Sequence, residues 1–123
     1  MSGIQKKMMK HTETYDQFDV IKVPFPFTDK NSSRQRPAVV ISTKDYQINN
    51  NHCILAMITS ARHSSWIDDI EITDLDLAGL DSPSIIRFKL VSLEENLVLA
   101  KLGKLANRDI EKLSKTLKKY LGT

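Results

Sequence analysis

Six short apolar runs of strand length, each closed by turn residues, fill residues 17–105 and restrict the chain to a small β-rich fold. They read QFDVIKVPF (17–25), PAVVIS (37–42), CILAMITS (53–60), DIEIT (69–73), SIIRFKLVSL (84–93) and NLVLAKLGKL (96–105). In DIEIT, Ile70 and Ile72 alternate with Asp69, Glu71 and Thr73, the pattern of a strand with one face in water. CILAMITS is a nearly unbroken apolar run, which predicts burial on both faces. Pro24 and Pro26 have no N–H to give a ladder, so the end of the first strand belongs at a sheet edge or the start of a loop. The connections TDKNSSRQR, TKDYQINNNH, ARHSSWID and DLDLAGLDSP are polar and turn-rich. Beyond the last run the period changes. Ile110, Leu113, Leu117, Tyr120 and Leu121 recur at helical spacing, with Asn107 as the candidate N-cap and Gly122 as the stop. That helix is expected to pack its stripe on the sheet and leave Lys112, Lys115, Lys118 and Lys119 in water. The sum is a mainly β (α+β) fold, a small barrel or sandwich of about six strands with a C-terminal helix.

A length of 123 residues with 41% apolar content suits one domain with a modest core. Residues 1–14 are polar, basic and without period, and are expected to form a flexible N-terminal tail before a single domain over 15–123. No run of eighteen apolar residues exists and the N-terminus lacks the apolar segment of a secretory signal, so a cytoplasmic protein is expected. Cys53 is the only cysteine; an internal disulfide is impossible, and the residue is expected to be a small buried hydrophobe. The net charge of +3 is unevenly spread: residues 1–14 carry +2, 15–100 carry −4 and 101–123 carry +5. A long uniformly basic groove is therefore not expected. Between positions 22 and 44, however, Lys22, Lys30, Arg34, Arg36 and Lys44 are opposed only by Asp29, which leaves a local cationic loop.

Phosphate-binding glycine loops and dinucleotide fingerprints are absent from a chain with four glycines. His11, His52 and His63 show no metal-ligand spacing, so neither a metal nor a cofactor is expected. What remains is Arg36 at the start of one buried strand, and Thr59 with Ser60 at the end of another. An arginine fork holds a phosphate in two-pronged fashion, and the hydroxyls can donate to the same anion. From spacing alone, the commoner roles of such residues are a surface ion pair and turn chemistry.

The stretch DVIKVPFPFTDKNSSRQRPAVVIS, followed by LAMITS and then by SIIRFKLVSLEENLVLAKLGKL, resembles the PemK/MazF family of toxin ribonucleases over roughly residues 16–121. The most specific pieces are VPFPFTD and the RP pair before AVVIS. The resemblance implies an SH3-like barrel with a C-terminal helix, a homodimer, metal-independent cutting of single-stranded RNA, and a cognate antitoxin that covers the RNA-binding face. Residue by residue, it implies catalytic roles for Arg36, Thr59 and Ser60. It also implies transesterification, in which the RNA 2′-hydroxyl attacks its own phosphate, leaving 2′,3′-cyclic phosphate and 5′-hydroxyl ends; DNA lacks that hydroxyl. Guanidinium groups hold their proton far above neutral pH and make poor general bases, so the arginine's role is to stabilise charge on the phosphorane. One departure is Phe18, where the family pattern usually has glycine; a phenylalanine there removes backbone freedom.

RNA contacts are expected from the neighbouring loops: Lys30 and Arg34 to phosphates, and Trp66, flanked by Arg62 and His63, to an unpaired base. Burial of Trp66 in the barrel or a dimer is the competing role. Phe25 and Phe27 are expected to pack, and Asp29, Asp68 and Asp69 to be solvated acids. An antitoxin with an acidic, disordered segment would suit the cationic loop. Two other function classes fit the barrel: a CcdB-like toxin that traps a DNA topoisomerase, and a non-enzymatic SH3-like binding module. Neither needs Arg36 and Thr59 to act together.

Overall fold

All six apolar runs contribute strands to one curled sheet, and the residues that alternate along them build two cores rather than one. The computed structural model describes residues 13–26, 34–61 and 65–122. Strands β1 (Asp19–Phe25), β2 (Arg34–Val40), β3 (His52–Ser60), β4 (Ile70–Glu71), β5 (Ser84–Glu94) and β6 (Ala100–Lys104) lie in the order β4-β5-β3-β2-β1-β6. Every pairing is antiparallel, and the sheet curls into a half-barrel closed on one side by the C-terminal helix.

Val20, Val39, Ala56, Ile58 and Ile86 point to one face, where they meet Leu105 and Leu113. Their sequence neighbours Ile21, Val23, Ala38, Val40, Leu55 and Met57 point to the other, with Tyr15, Cys53 and Leu93. The central strands are thus buried on both faces, as the CILAMITS run predicts. Cys53 is fully buried, and burial pushes its thiol up to about 11, which keeps it protonated and inert.

Helix α3 (Asn107–Leu121) lays Ile110, Leu113 and Leu117 on the first core. Leu113 is completely buried, and truncation to alanine would cost about 2–5 kcal/mol. Gly122 ends the helix in a left-handed turn with its N–H on the Lys118 carbonyl. Two expectations for this helix are corrected, and a buried carboxylate is added to it. Ala106, not Asn107, occupies the N-cap position, and no side chain caps it. Tyr120 and Leu121 are half exposed instead of buried with the stripe; the Tyr120 ring meets Phe88 of β5 and its hydroxyl meets Asp68. Asp109 in the first turn is buried, where it accepts from the Thr73 backbone N–H (2.9 Å) and hydroxyl (3.0 Å) just after β4.

Two connections are helical. Helix α1 (Lys44–Asn50) has no apolar stripe; it is anchored by Gln47, which donates to the Glu13 carbonyl (2.9 Å) and Glu95 Oε1 (3.1 Å) and accepts from the Tyr15 N–H (2.8 Å). Helix α2 (Leu75–Ala78) ends at Gly79, whose φ of +73° and backbone contact with Leu102 leave no room for a Cβ. The last run is a strand only from Ala100, its first residues forming a 3-10 turn over Glu95–Leu97. Of the expected tail, Glu13 carries the tie to Gln47 through its carbonyl, and residues 1–12 lie outside the described residues.

Phe18 takes φ +73° immediately before β1. A left-handed residue is needed there because its N–H bonds the Val40 carbonyl (2.6 Å) while its carbonyl receives the Leu105 N–H (3.1 Å), joining β2 to the approach of α3. That is the conformation glycine adopts without penalty and a phenylalanine adopts at a cost. Phenylalanine offsets the strain by packing its ring on the first core.

Candidate active site

The site begins where two strands stop pairing. Bonded pairs between β2 and β3 end at Ala38 with Met57. Two residues further along, the same register sets Arg36 across from Thr59 on the face that carries Ala38 and Met57. Arg36 is held there by β1, opposite Val23, and Thr59 by β5, opposite Ile85. Each residue is therefore fixed by its outer neighbour while the inner edges stand open, and a cleft of about 260 Å³ lies between them. Phe25, Arg36, Met57 and Thr59 line one part of it, and Arg87, Lys89 and Val91 of β5 the other. A second cleft of about 310 Å³ continues past Arg36 and Thr59 to Arg34, Ser60, Ser82 and Ser84. No acidic side chain among the described residues lines either one.

Arg36 does not precede its strand, as its place before Pro37 suggests; it lies within β2, which starts at Arg34. The β1–β2 hairpin extends three residues beyond PAVVIS because Phe25, Pro24 and Val23 continue to pair with Arg34, Gln35 and Arg36. β6 covers β1 only from Asp19 to Lys22, so Pro24 sits on a local sheet edge, as its missing N–H requires. The footing of Arg36 is the Phe25 ring, 4.7 Å from ring centroid to the guanidinium carbon; Arg34 approaches the same ring at 5.5 Å. Phe25 thus packs as expected, against cations rather than the core.

Trp66 is half exposed and lies behind the cleft wall made by Arg87, whose guanidinium stands 5.2 Å from its ring centroid. Asp69 is not solvated: its side chain is 11% exposed and pairs with Arg87 through Nη2 (2.9 Å) and Nε (3.2 Å). The Arg87 hydrogen bond holds the Asp69 carboxyl below the usual aspartate range. Asp68 is held low as well, first by the Tyr120 hydroxyl and then by Lys119, which stays exposed as expected while its ammonium reaches the carboxylate. The expected contacts Lys30, Arg62 and His63 lie outside the described residues, as do Phe27 and Asp29.

The structure thus brings Arg36, Thr59, Ser60 and Arg34 together and sets Trp66 against Arg87, which lines the first cleft. Sequence reasoning missed Arg87, Lys89, Ser82 and Ser84. A signal for the first two existed: positions 87 and 89 share one face of a strand by period two. Among the described residues no three His, Cys, Asp or Glu side chains converge as metal ligands, and no helix is long and apolar enough to cross a membrane.

Solved structures share this architecture at low identity. MazF from Deinococcus radiodurans matches with a TM-score of 0.69 and 18% identity, covering 90% of this chain and 99% of that one. A MazE–MazF complex from the same organism matches at 0.69 and 16%, covering 90% and 98%. A mycobacterial endoribonuclease in complex with its cognate antitoxin matches at 0.69 and 12%, covering 88% and 95%. No curated protein matches the chain. The family described as "PemK-like, MazF-like toxin of type II toxin-antitoxin system" matches residues 16–121, nearly the whole domain. With the half-barrel, the C-terminal helix and that match in agreement, the chain belongs to the PemK-like, MazF-like toxins of type II toxin–antitoxin systems.

Proposed function

We propose that this toxin is an endoribonuclease that cuts single-stranded RNA by transesterification without a metal ion, at the groove between the open ends of β2 and β3. The observation that carries the reading is the meeting of Arg36 and Thr59 across that groove, each fixed by an outer strand. In the reaction the 2′-oxygen forms a bond to its adjacent phosphorus as the bond to the 5′-oxygen breaks. The 2′-hydroxyl proton is lost and the 5′-oxygen gains one, leaving a 2′,3′-cyclic phosphate and a 5′-hydroxyl. Arg36 meets the charge that grows on the non-bridging oxygens, and the Thr59 hydroxyl donates to the same centre; Ser60 and Arg34 hold the next phosphate in the adjoining cleft. Because the substrate carries its own nucleophile, the protein supplies position and charge only.

The mycobacterial and Deinococcus structures that include an antitoxin support a cognate antitoxin for this chain too. An acidic, disordered antitoxin segment lying over the Lys30–Arg36 region would compete with RNA for the same cations, and a homodimer would present two such grooves. Its complex should weaken between low and high salt; an affinity indifferent to salt would remove that route.

The deciding assay incubates purified protein, with EDTA present, on a long single-stranded RNA of varied sequence and on matched DNA. RNA cut into 5′-hydroxyl fragments with DNA intact is the expected result. RNA left intact across varied sequences would overturn the reading in favour of a topoisomerase-trapping toxin or a binding module.

A further inference from the structure

A carboxylate that composition would leave in water holds the far end of the groove together. Asp69 Oδ1 accepts from Arg87 Nε at 3.2 Å, and Oδ2 accepts from Arg87 Nη2 at 2.9 Å and from the Trp66 backbone N–H at 2.8 Å. The guanidinium so fixed stands 5.2 Å from the centroid of the Trp66 ring. One side chain therefore sets the orientation of a groove-lining cation and of the aromatic it stacks on. The loop is tied from its other side as well: Asp68, at φ +73°, accepts from Lys119 Nζ (2.9 Å) and from the Tyr120 hydroxyl in the last turn of α3. Tyr120 in turn stacks at 5.4 Å on Phe88, next to Arg87 in β5.

The geometry points to Asp69 as a positioning residue that presents Trp66 and Arg87 as one platform for an unpaired RNA base beside the phosphate held at Arg36. This rests on the ribonuclease reading above. Two physical features separate the platform from a plain phosphate contact. Arg87 is 13% exposed and two-pronged on a carboxylate, so much of its charge is offset and it attracts an RNA backbone less than Lys89 does. What the pairing supplies is a planar group locked against a half-exposed indole, and flat surfaces of this kind stack on single-stranded bases.

Asp69→Asn separates the possible roles, since it keeps the shape and removes the negative charge that offsets Arg87. A role in charge balance alone predicts tighter binding of every RNA. A purely structural role predicts a lower Tm and an equal loss on every RNA. The positioning role predicts a higher KM, and a ratio of kcat/KM between preferred and non-preferred sequences that falls by about 10-fold, the scale of one base contact. Trp66 is the only tryptophan, so its emission reports the platform directly. In the wild type it should be quenched on titration with a 2′-O-methyl RNA, which cannot be cut; in Asp69→Asn it should be more open to acrylamide before RNA is added and respond less afterwards. Wild type that cuts RNA, with Asp69→Asn unchanged in KM, preference and emission, overturns this inference alone. Wild type that neither cuts nor binds RNA overturns the reading beneath it as well. Should Asp69→Asn not fold, Arg87→Lys keeps the charge, breaks the two-pronged pairing and is judged by the same three readouts.

Discussion

The two ends of the groove are built in different ways. At the near end, Arg36 and Thr59 are brought opposite each other by backbone register, each on a strand whose outer edge is fully paired. At the far end, Trp66, Asp69 and Arg87 are assembled by side chains, with one carboxylate joining a loop to a strand. A β-bulge between Ala56 and Met57 adds to the contrast: it sets Arg87 opposite Met57, a place an unbroken ladder would give to Lys89. A backbone-placed end keeps its geometry when a neighbouring side chain changes. A side-chain-placed end depends on a single ion pair and is the part that can vary from one chain to another. As proposed, chemistry is assigned to the near end and RNA preference to the far end.

The sharpest way to break that division is to exchange the effects. Arg36→Ala should lower kcat by at least about 100- to 1,000-fold, the loss typical of one preorganised donor to a developing anion. Tm should stay close to wild type, since Arg36 packs on Phe25 at the groove and not in either core. Thr59→Ala should cost less, about 10- to 100-fold, because a neutral hydroxyl offers a weaker bond to the same charge. Single-turnover cleavage of one RNA measures both. An Arg36→Ala protein that cuts as fast as wild type would move the chemistry elsewhere in the groove.

Legibility in the sequence follows the same line. The strand runs, the doubly buried β3, the buried Cys53 and the Gly122 stop are local consequences of pattern, and all could be read. So could the approach of Arg36 to Thr59, because each falls near the end of its strand on one sheet. Helix α1 could not, because its hold on the fold is the buried amide of Gln47, and a polar anchor leaves no hydrophobic period. Asp69 and Asp68 read as solvated acids because their partners, Arg87, Lys119 and Tyr120, lie 18, 51 and 52 residues away. Phe18 is an intermediate case. The sequence showed a departure from the family glycine, and only the φ of +73° shows what that departure costs the backbone.

Lys89 offers a milder test of the same division. It lines the cleft beside Arg87 and is exposed, so it can serve as an ordinary phosphate contact. Lys89→Ala should weaken binding of an uncleavable single-stranded RNA about equally for all sequences, and reduce the slope of log affinity against log salt by about 0.7. A change in sequence preference would place Lys89 with the platform instead.

The smallest expected effect is on stability, and it separates the ends by pH. The Asp69 carboxyl is held below the usual aspartate range chiefly by its hydrogen bond with Arg87. A carboxyl lowered in the folded state stabilises the fold above its unfolded value of about 3.9, and that contribution is lost as pH falls through the folded value. Asp69→Asn has no such group, so its Tm should lie below wild type at pH 6 and the gap should close as pH is lowered past about 3.9. Asp68 titrates in both proteins and drops out of the difference. Arg36→Ala compared with wild type should show no such closing, because no carboxylate among the described residues lines the near cleft. A gap for Asp69→Asn that stays constant down to pH 3 would mean that packing around Trp66, and not the ion pair, holds the far end in place.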